Sequence, residues 1–425
     1  MDKLQEARRA ISAIDAEMAE LFVRRMEAVG QVAQYKQEHG LPIFDGARER
    51  EVLEKGARRV TDPALREHYA RFLQNNMDVS KDYQRRLLAH DAPLRMELGS
   101  RSYDIVIRRG CLKEAGSLLD LDRKVCIVTD RGVPEGYVRT LAAQCKAPVV
   151  VTVDGGEANK TMDTVAAVCR AMLEAGFTRR DCVVAVGGGL VGDLAGFAAA
   201  SFLRGVDFYN IPTTLLAQVD SSIGGKTGVN LAGVKNMVGA FWQPRKVLID
   251  PDTLDTLSPR LYAEGMAEAV KMALTSDAAF FTALEQGGLP VEQVLEGALR
   301  IKKTVVEQDE RETGLRKLLN FGHTIGHGVE AAAGGALYHG ECVALGMVPM
   351  CAPAVRARLL PLLEKLGLPT RWEGDKAAAW QAMSHDKKST ASGFSAVFVD
   401  RPGEGCVKQV TFEEMKAILE GAWQA

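Results

Sequence analysis

Three of the chain's seven histidines fall within LLNFGHTIGHGVEAAAGGALYHGE, residues 318–341, among glycines and small residues. If this stretch is helical, His323 and His327 lie one turn apart on the same face, as metal-binding pairs do. Thr324, Ile325 and Gly326 separate the pair, so the glutamate of a hydrolytic HExxH signature is absent and a metallopeptidase is disfavoured. Spacing alone also fits ordinary core or polar-face histidines. A second candidate is VVAVGGGLVGDLAGFAAA, where Gly187, Gly188 and Gly189 follow an apolar run and open a helical pattern. Glycines placed there let the backbone approach a pyrophosphate at a helix N-terminus. NIPTTLLAQVDSSIGGKTGVN adds a glycine-rich loop with Asp220, Lys226 and Thr227, but its GGKT lacks the upstream glycine spacing of a P-loop. A third candidate is the stripe Leu4, Arg8, Ile11, Asp15, Met18, Phe22, Arg25, Val29, Val32 and Lys36, one face of a long helix. Asp15 can neutralise only one of its three cations, and burying a cation is costly unless an anion meets it. Either an anionic ligand or a dimerisation arm whose cations reach water fits that pattern.

The elements that must position these groups divide the chain into three. Residues 1 to about 90 carry almost no strand signal. After Pro93, KVCIVTD, PVVVTVD, DCVVAVGGG and RKVLID read as buried strands, with helical segments such as TMDTVAAVCRAMLEAG between them. That alternation predicts a parallel sheet of βαβ units. From about residue 257 the pattern is helical again, through AEGMAEAVKMAL, VEQVLEGALRIKKTVVEQ and the histidine stretch. The expected fold is multidomain: an all-α module (1–90), an α/β Rossmann-like domain (95–256) and an all-α domain (257–425). With 53 basic and 55 acidic residues, there is no electrostatic case for a nucleic-acid or membrane-surface partner. The opening MDKLQEARRAISAID does not read as a signal peptide, and no run is apolar enough to span a bilayer. Eight dispersed cysteines without a CxxC fit a reducing cytoplasm.

Residues 1–90 resemble the all-helical class of chorismate mutase, an intertwined dimer of three-helix chains. The resemblance is carried by RxxISAID, RRMEAVGQVAQYK, PIFDGARERE and SKDYQ. It implies a pericyclic conversion of chorismate to prephenate, catalysed by orientation and electrostatics without a covalent step. Arg8 from the partner chain and Arg25 would clamp the carboxylates, and Lys36 and Gln84 would meet the ether oxygen. Glu49 would hold the hydroxyl, and Asp45, Arg48 and Ser80 would line the pocket. FLQNNMDVSKDYQ departs from the family in placing Asn75 and Asn76 where aliphatic residues are usual.

From about residue 95 to 425 the chain resembles 3-dehydroquinate synthase over that enzyme's entire length. The motifs are EANKT, GGGLVGDLAGFAA, FLRG, IPTTLLAQVDSSIGGKTGVN, KNMVGAFWQP, GMAEAVK, KLLNFGHTIGH, YHGE and DKK. The resemblance implies conversion of 3-deoxy-D-arabino-heptulosonate 7-phosphate to 3-dehydroquinate and phosphate, with NAD used catalytically and regenerated. It also implies one divalent metal ion, zinc or cobalt, acting as a Lewis acid. Glu268, His323 and His339 are the implied ligands, a set that leaves open positions for substrate oxygens. His327 would then face the substrate as an acid/base group. Lys226, Asn236, Lys271, Lys302, Arg316, Asn320 and Lys387 would hold the substrate, with Arg204 reaching in from a neighbouring subunit. NAD would meet Asp130, Glu157, Lys160, Gly187, Gly188, Gly189, Asp193, Thr213, Thr214, Asp220, Lys226, Lys235, Thr253 and Thr256. Two departures are the extra residue in DGGEANK and the divergent STASGFSAVFVD after DKK, which leaves Lys387 and Lys388 as alternatives.

The expectation is a cytoplasmic, bifunctional shikimate-pathway enzyme, a lyase and an isomerase acting on small molecules. It would be a homodimer through the helical module, the synthase part or both. The rival is another sugar-phosphate cyclase or a polyol dehydrogenase on the same scaffold, carrying a non-catalytic dimerisation or regulatory module.

Overall fold

The computed structural model describes residues 3–38, 41, 46–91, 93–384, 389–390 and 393–423, so Asp45, Lys387 and Lys388 lie outside it. Residues 1–92 and 93–425 form two compact units, the break falling where the strand signal begins.

The first unit consists of α1 (Lys3–Glu38), α2 (Gly46–Ala57) and α3 (Pro63–Asp91). Its interior side buries Met26, Ala33 and Met77 together with the polar Ser80 and Gln84. The stripe expected on α1 is not covered by its own chain: Leu4, Ile11, Met18, Phe22 and Val32 are 54, 58, 42, 43 and 48% exposed.

The second unit is built on β1 (Leu94–Met96), β2 (Tyr103–Ile107), β3 (Lys124–Asp130), β4 (Ala147–Val153), β5 (Cys182–Gly187), β6 (Asp207–Pro212) and β9 (Lys246–Ile249). They form one sheet in the order β1-β2-β9-β6-β5-β3-β4. All its neighbours are parallel except the antiparallel edge pair β1–β2. A hairpin of β7 (Lys226–Leu231) and β8 (Val234–Phe241) stands apart from it. Helices α4 (Ala115–Leu118), α5 (Glu135–Ala142), α6 (Met162–Glu174) and α7 (Gly189–Ser201) connect the strands. In β3, Val125 and Ile127 join one core with Val138 and Leu141, while Cys126 and Val128 join the other with Val168 and Leu194. Burial on both faces erases polar alternation, which is why these strands read as continuous apolar runs.

The remainder is helical: α8 (Pro259–Ser276), α9 (Ala278–Gln286), α10 (Val291–Gln308), α11 (His323–Ala332), α12 (His339–Met347), α13 (Pro353–Lys365), α14 (Lys376–Ser384) and α15 (Phe412–Gly421). It also holds a three-stranded antiparallel sheet of β10 (Ser389–Thr390), β11 (Gly393–Arg401) and β12 (Glu404–Val410), which the expected all-α pattern did not include. One hydrophobic core joins Ile105, Val247 and Ile249 of the large sheet to Val270, Leu299, Ile325 and Val343 of the helices. The expected division at 256/257 is therefore not a break in packing. No helix among the described residues is long and apolar enough to cross a membrane.

Candidate active site

The connection after β3 runs outward to β4, and the one after β5 runs the other way to β6, so the β3/β5 crevice is the sheet's topological switch point. Ligands of open α/β sheets bind outside the strand ends at such a crevice. Asp130 ends β3 there, and its Oδ1 accepts the Gly132 N–H at 2.6 Å. Gly187 ends β5, and Gly188 and Gly189 open α7, whose first N–H groups have no partner within the helix. Thr213 donates its N–H to the Gly187 carbonyl at 3.0 Å, tying β6 to this turn, and Thr214 follows it. On α7, Asp193 pairs with Lys160 at 2.5 Å, and Lys160 also donates to Asn236 Oδ1 at 2.6 Å. Burial pushes the Asp193 carboxyl up and the Lys160 ammonium opposes it. Glu157 accepts from Asn230 Nδ2 at 2.8 Å. The buried Thr253 hydroxyl donates to the Asp250 carbonyl at 2.7 Å and accepts from Gln218 Nε2 at 2.9 Å. That side chain ties the Asp250 loop to Gln218. Thr256 Oγ1 lies 3.2 Å from the Tyr137 hydroxyl.

A single π-helical turn, Ala217–Ser221, delivers Asp220 to the other wall. Such turns are common at functional sites. The Lys302 ammonium contacts Asp220 Oδ1, and Lys271 Nζ lies 3.7 Å from its Oδ2. Burial pulls Lys302 down to about 8, with Asp220 opposing. Burial would raise the Asp220 carboxyl, yet the two lysines hold it well below the usual range. One turn along α8 from Lys271 lies Glu268, and the two are in direct ionic contact.

Glu268 is fully buried, and neither carboxylate oxygen has a hydrogen bond of acceptable geometry. Its Oε1 lies 3.6 Å from both His323 Nε2 and His339 Nε2. Ligand atoms of His323, His327 and His339 all fall within 4.8 Å of one another. The helices can approach this closely because of the intervening glycines. Gly322, at φ +76°, turns the chain into α11, and a Cβ on Gly340 would lie 2.2 Å from the Glu264 carbonyl oxygen of α8. Arg260 of α8 grips Glu341 of α12 at 2.6 and 2.7 Å, and Glu341 accepts the Tyr338 N–H at 2.8 Å. Glu268 and His339 are thereby held in register.

These residues fit a divalent metal ion. Two ligand atoms on a tetrahedral zinc sit roughly 3.4 Å apart, given bonds of about 2.0–2.1 Å, close to the 3.6 Å spacings here. The charge also fits. Burial pulls the His339 imidazole down, but Glu268 and Glu330 hold it up at about 10, so the cluster favours positive charge at this position. A cation within reach of Glu268 Oε1 supplies it. The ring centroids of His323 and His327 are 5.3 Å apart and those of His327 and His339 5.8 Å, so His327 is part of the same cluster.

The expected anion-binding cations converge nearby. Arg316 is buried, and its guanidinium donates to the carbonyls of Gly224, at 3.2 Å, and Glu310. Lys226 and Asn320 both contact Glu312, a carboxylate that sequence reasoning missed. Its φ of +62° was not legible from its residue type. Asp309 was missed as well. Its carboxylate gathers the N–H groups of Thr313, Gly314 and Arg316 at 2.8, 2.7 and 3.0 Å and so shapes the loop that carries Arg316. Arg204, at φ +67°, is exposed and its side chain has no hydrogen bond or ion pair with any of these groups. Lys235, expected at the cofactor, donates to Glu330 Oε1 at 2.7 Å.

In the first unit, Arg25 donates to Ser80 Oγ at 2.5 Å and to the Asn76 carbonyl at 3.4 Å, and burial pulls its guanidinium down. Gln84 is buried with its Oε1 lacking a partner. Glu49 pairs with Lys81 at 3.0 Å, a partner not anticipated. Arg48 bonds Glu51 at 2.7 Å, and Arg8 is exposed. Arg25, Ser80, Gln84 and Glu49 are thus brought toward one interior side, and Arg8 is not.

A switch-point crevice beside a carboxylate–imidazole cluster on packed helices is the architecture that residues 93–425 share with sugar-phosphate cyclases of known structure. Solved structures on this scaffold include 2-deoxy-scyllo-inosose synthase complexed with carbaglucose-6-phosphate, NAD+ and Co2+. It has TM-score 0.72 and 26% identity, covering 78% of this chain and 100% of that one. Another is 2-epi-5-epi-valiolone synthase from Streptomyces hygroscopicus with NAD+ and Zn2+ bound, at TM-score 0.69 and 31% identity, covering 76% and 96%. A probable glycerol dehydrogenase from Sinorhizobium meliloti, at 16% identity and TM-score 0.52, shares the fold alone. The chain belongs to the 3-dehydroquinate synthase family, matching its N-terminal model over residues 150–264 and its C-terminal model over 265–389, behind a chorismate mutase type II module matched over 7–85. Curated 3-dehydroquinate synthases from Streptococcus sanguinis and Streptococcus suis are 43% and 42% identical, each match covering 77% of this chain and 99% of the relative.

Proposed function

We propose that this chain is a bifunctional enzyme of aromatic biosynthesis, a 3-dehydroquinate synthase joined to a chorismate mutase, acting in the cytoplasm. The observation that carries the synthase assignment is the buried Glu268 facing His323 and His339, linked through Lys271 to Asp220 beside the dinucleotide crevice. Bound NAD supplies a hydride acceptor and a zinc or cobalt ion supplies Lewis acidity. Glu268, His323 and His339 would hold the ion, and the β3/β5 crevice with the α7 N-terminus would hold the dinucleotide. Lys302 and Lys271 orient Asp220 at the junction of the two. Arg316, Lys226, Asn320 and Asn236 hold the anionic substrate, with Lys387 and the neighbouring subunit's Arg204 completing the set. His327 moves a proton at an imidazole nitrogen facing the substrate.

In residues 1–90, Arg25, Lys36, Glu49, Ser80 and Gln84, with Arg8 of a second copy, fold the dianion into its reactive conformation. The exposed apolar stripe of α1 supports a homodimer. A contiguous apolar face of this kind marks an interaction site, and Arg8 reaches a pocket only across such an interface.

The decisive experiment follows phosphate release from the heptulosonate phosphate together with NADH. Phosphate release without net NADH supports the synthase. One NADH per turnover instead assigns a dehydrogenase. In parallel, chorismate consumption by the intact chain tests the mutase.

A further inference from the structure

Helix α11 carries His323, His327 and Glu330 at i, i+4 and i+7, so the same face that presents two histidines also presents a carboxylate. The Glu330 side chain is only 14% exposed. Its Oε2 lies 3.2 Å from His339 Nδ1 and its Oε1 2.7 Å from Lys235 Nζ. An ionised carboxylate only accepts hydrogen bonds, so the contact with Oε2 requires the hydrogen on Nδ1. Nε2 is then the ring nitrogen turned toward Glu268 Oε1, 3.6 Å away, and is the one left to bind an ion held there. Lys235, on β8 next to Asn236, fixes the other oxygen. Asn236 in turn accepts from Lys160, the partner of Asp193 on α7.

We propose that Glu330 is a positioning residue of the metal centre: it sets the tautomer and ring orientation of His339, and Lys235 holds it in place from the hairpin. The proposal rests on Glu268, His323 and His339 being the metal ligands. Partners behind a ligating histidine commonly change metal affinity 10–100-fold. The hairpin's position is thereby tied to His339 as well as to the cofactor side.

The test uses the full chain, stripped of metal and titrated with Co2+ against a competing chelator, with the visible Co2+ absorption recorded. Glu330→Ala should weaken Co2+ binding roughly 10–100-fold and alter the Co2+ spectrum. Glu330→Gln keeps an acceptor for Nδ1–H and should recover most of both. Lys235→Met should fall between Glu330→Ala and the unsubstituted chain. Wild-type affinity and spectrum in Glu330→Ala would overturn the proposal. Thermal unfolding of the metal-free proteins separates a folding defect: if Glu330→Gln unfolds normally yet behaves like Glu330→Ala, the hydrogen-bond role is also overturned. If His339→Ala binds Co2+ as tightly as the unsubstituted chain, the ligand assignment itself fails, and the positioning role with it.

Discussion

In the proposed site, Glu268 and the three histidines around it would divide one cluster into two tasks. The buried Glu268 carboxylate meets the Lys271 ammonium, and His323 and His339 each present Nε2 to its Oε1 at 3.6 Å. His327 belongs to the same cluster, and the proposed function gives it the substrate rather than the metal. His327→Ala is therefore expected to retain full metal content and lose turnover by about 10²–10⁴-fold, the usual worth of a general acid or base. His339→Ala should lose both, as metal analysis alongside phosphate release would show. A metal-free His327→Ala would move His327 into the ligand set. In the other unit, Arg25→Ala removes the cation held by Ser80 and Asn76. It should abolish chorismate consumption and leave phosphate release by the same preparation intact.

At the scale of elements, glycines and buried carboxylates decide how close the site-bearing segments come. The Gly340 contact with α8 leaves no room for a methyl group. Gly340→Ala should push α12 away from Glu268, cost about 1–3 kcal/mol of stability and lower metal occupancy, measured by thermal unfolding and metal analysis. The loop that carries Arg316 depends on Asp309. Burial would raise that carboxyl, but the N–H groups of Arg316, Thr313 and Gly314 hold it at about 2. A depressed native value means the stabilisation is present above the unfolded value near 4 and is lost as pH falls toward 2. Asp309→Asn should unfold at a lower temperature at pH 7, and the difference should shrink below pH 4. An unchanged difference at low pH would count against the carboxylate's role.

For the whole molecule, two compact units imply two separable activities. A chelator should abolish phosphate release and spare chorismate consumption, since the metal-type cluster found among the described residues lies within 93–425. If the proposed homodimer forms through α1, Phe22→Glu on its exposed stripe should do the reverse, with sedimentation showing a smaller species than the unsubstituted chain. The central strands, the helix over AEGMAEAVKMAL and the His323/His327 spacing were legible in the sequence. Two-sided burial and helical periodicity are local signals, and they survive without knowledge of the fold. Motif blocks likewise carried the family. The hairpin β7–β8 was not legible, because β8 is largely exposed and carries no apolar alternation to announce a strand. Nor were Glu312 and Glu330. Their partners Lys226 and Lys235 lie 86 and 95 residues away, so no spacing rule connects them. The sequence by itself determined which chemical groups are available and which elements bear them. Only the tertiary structure decided which carboxylate each cation and imidazole meets, because that depends on how closely packed helices approach and not on distance along the chain.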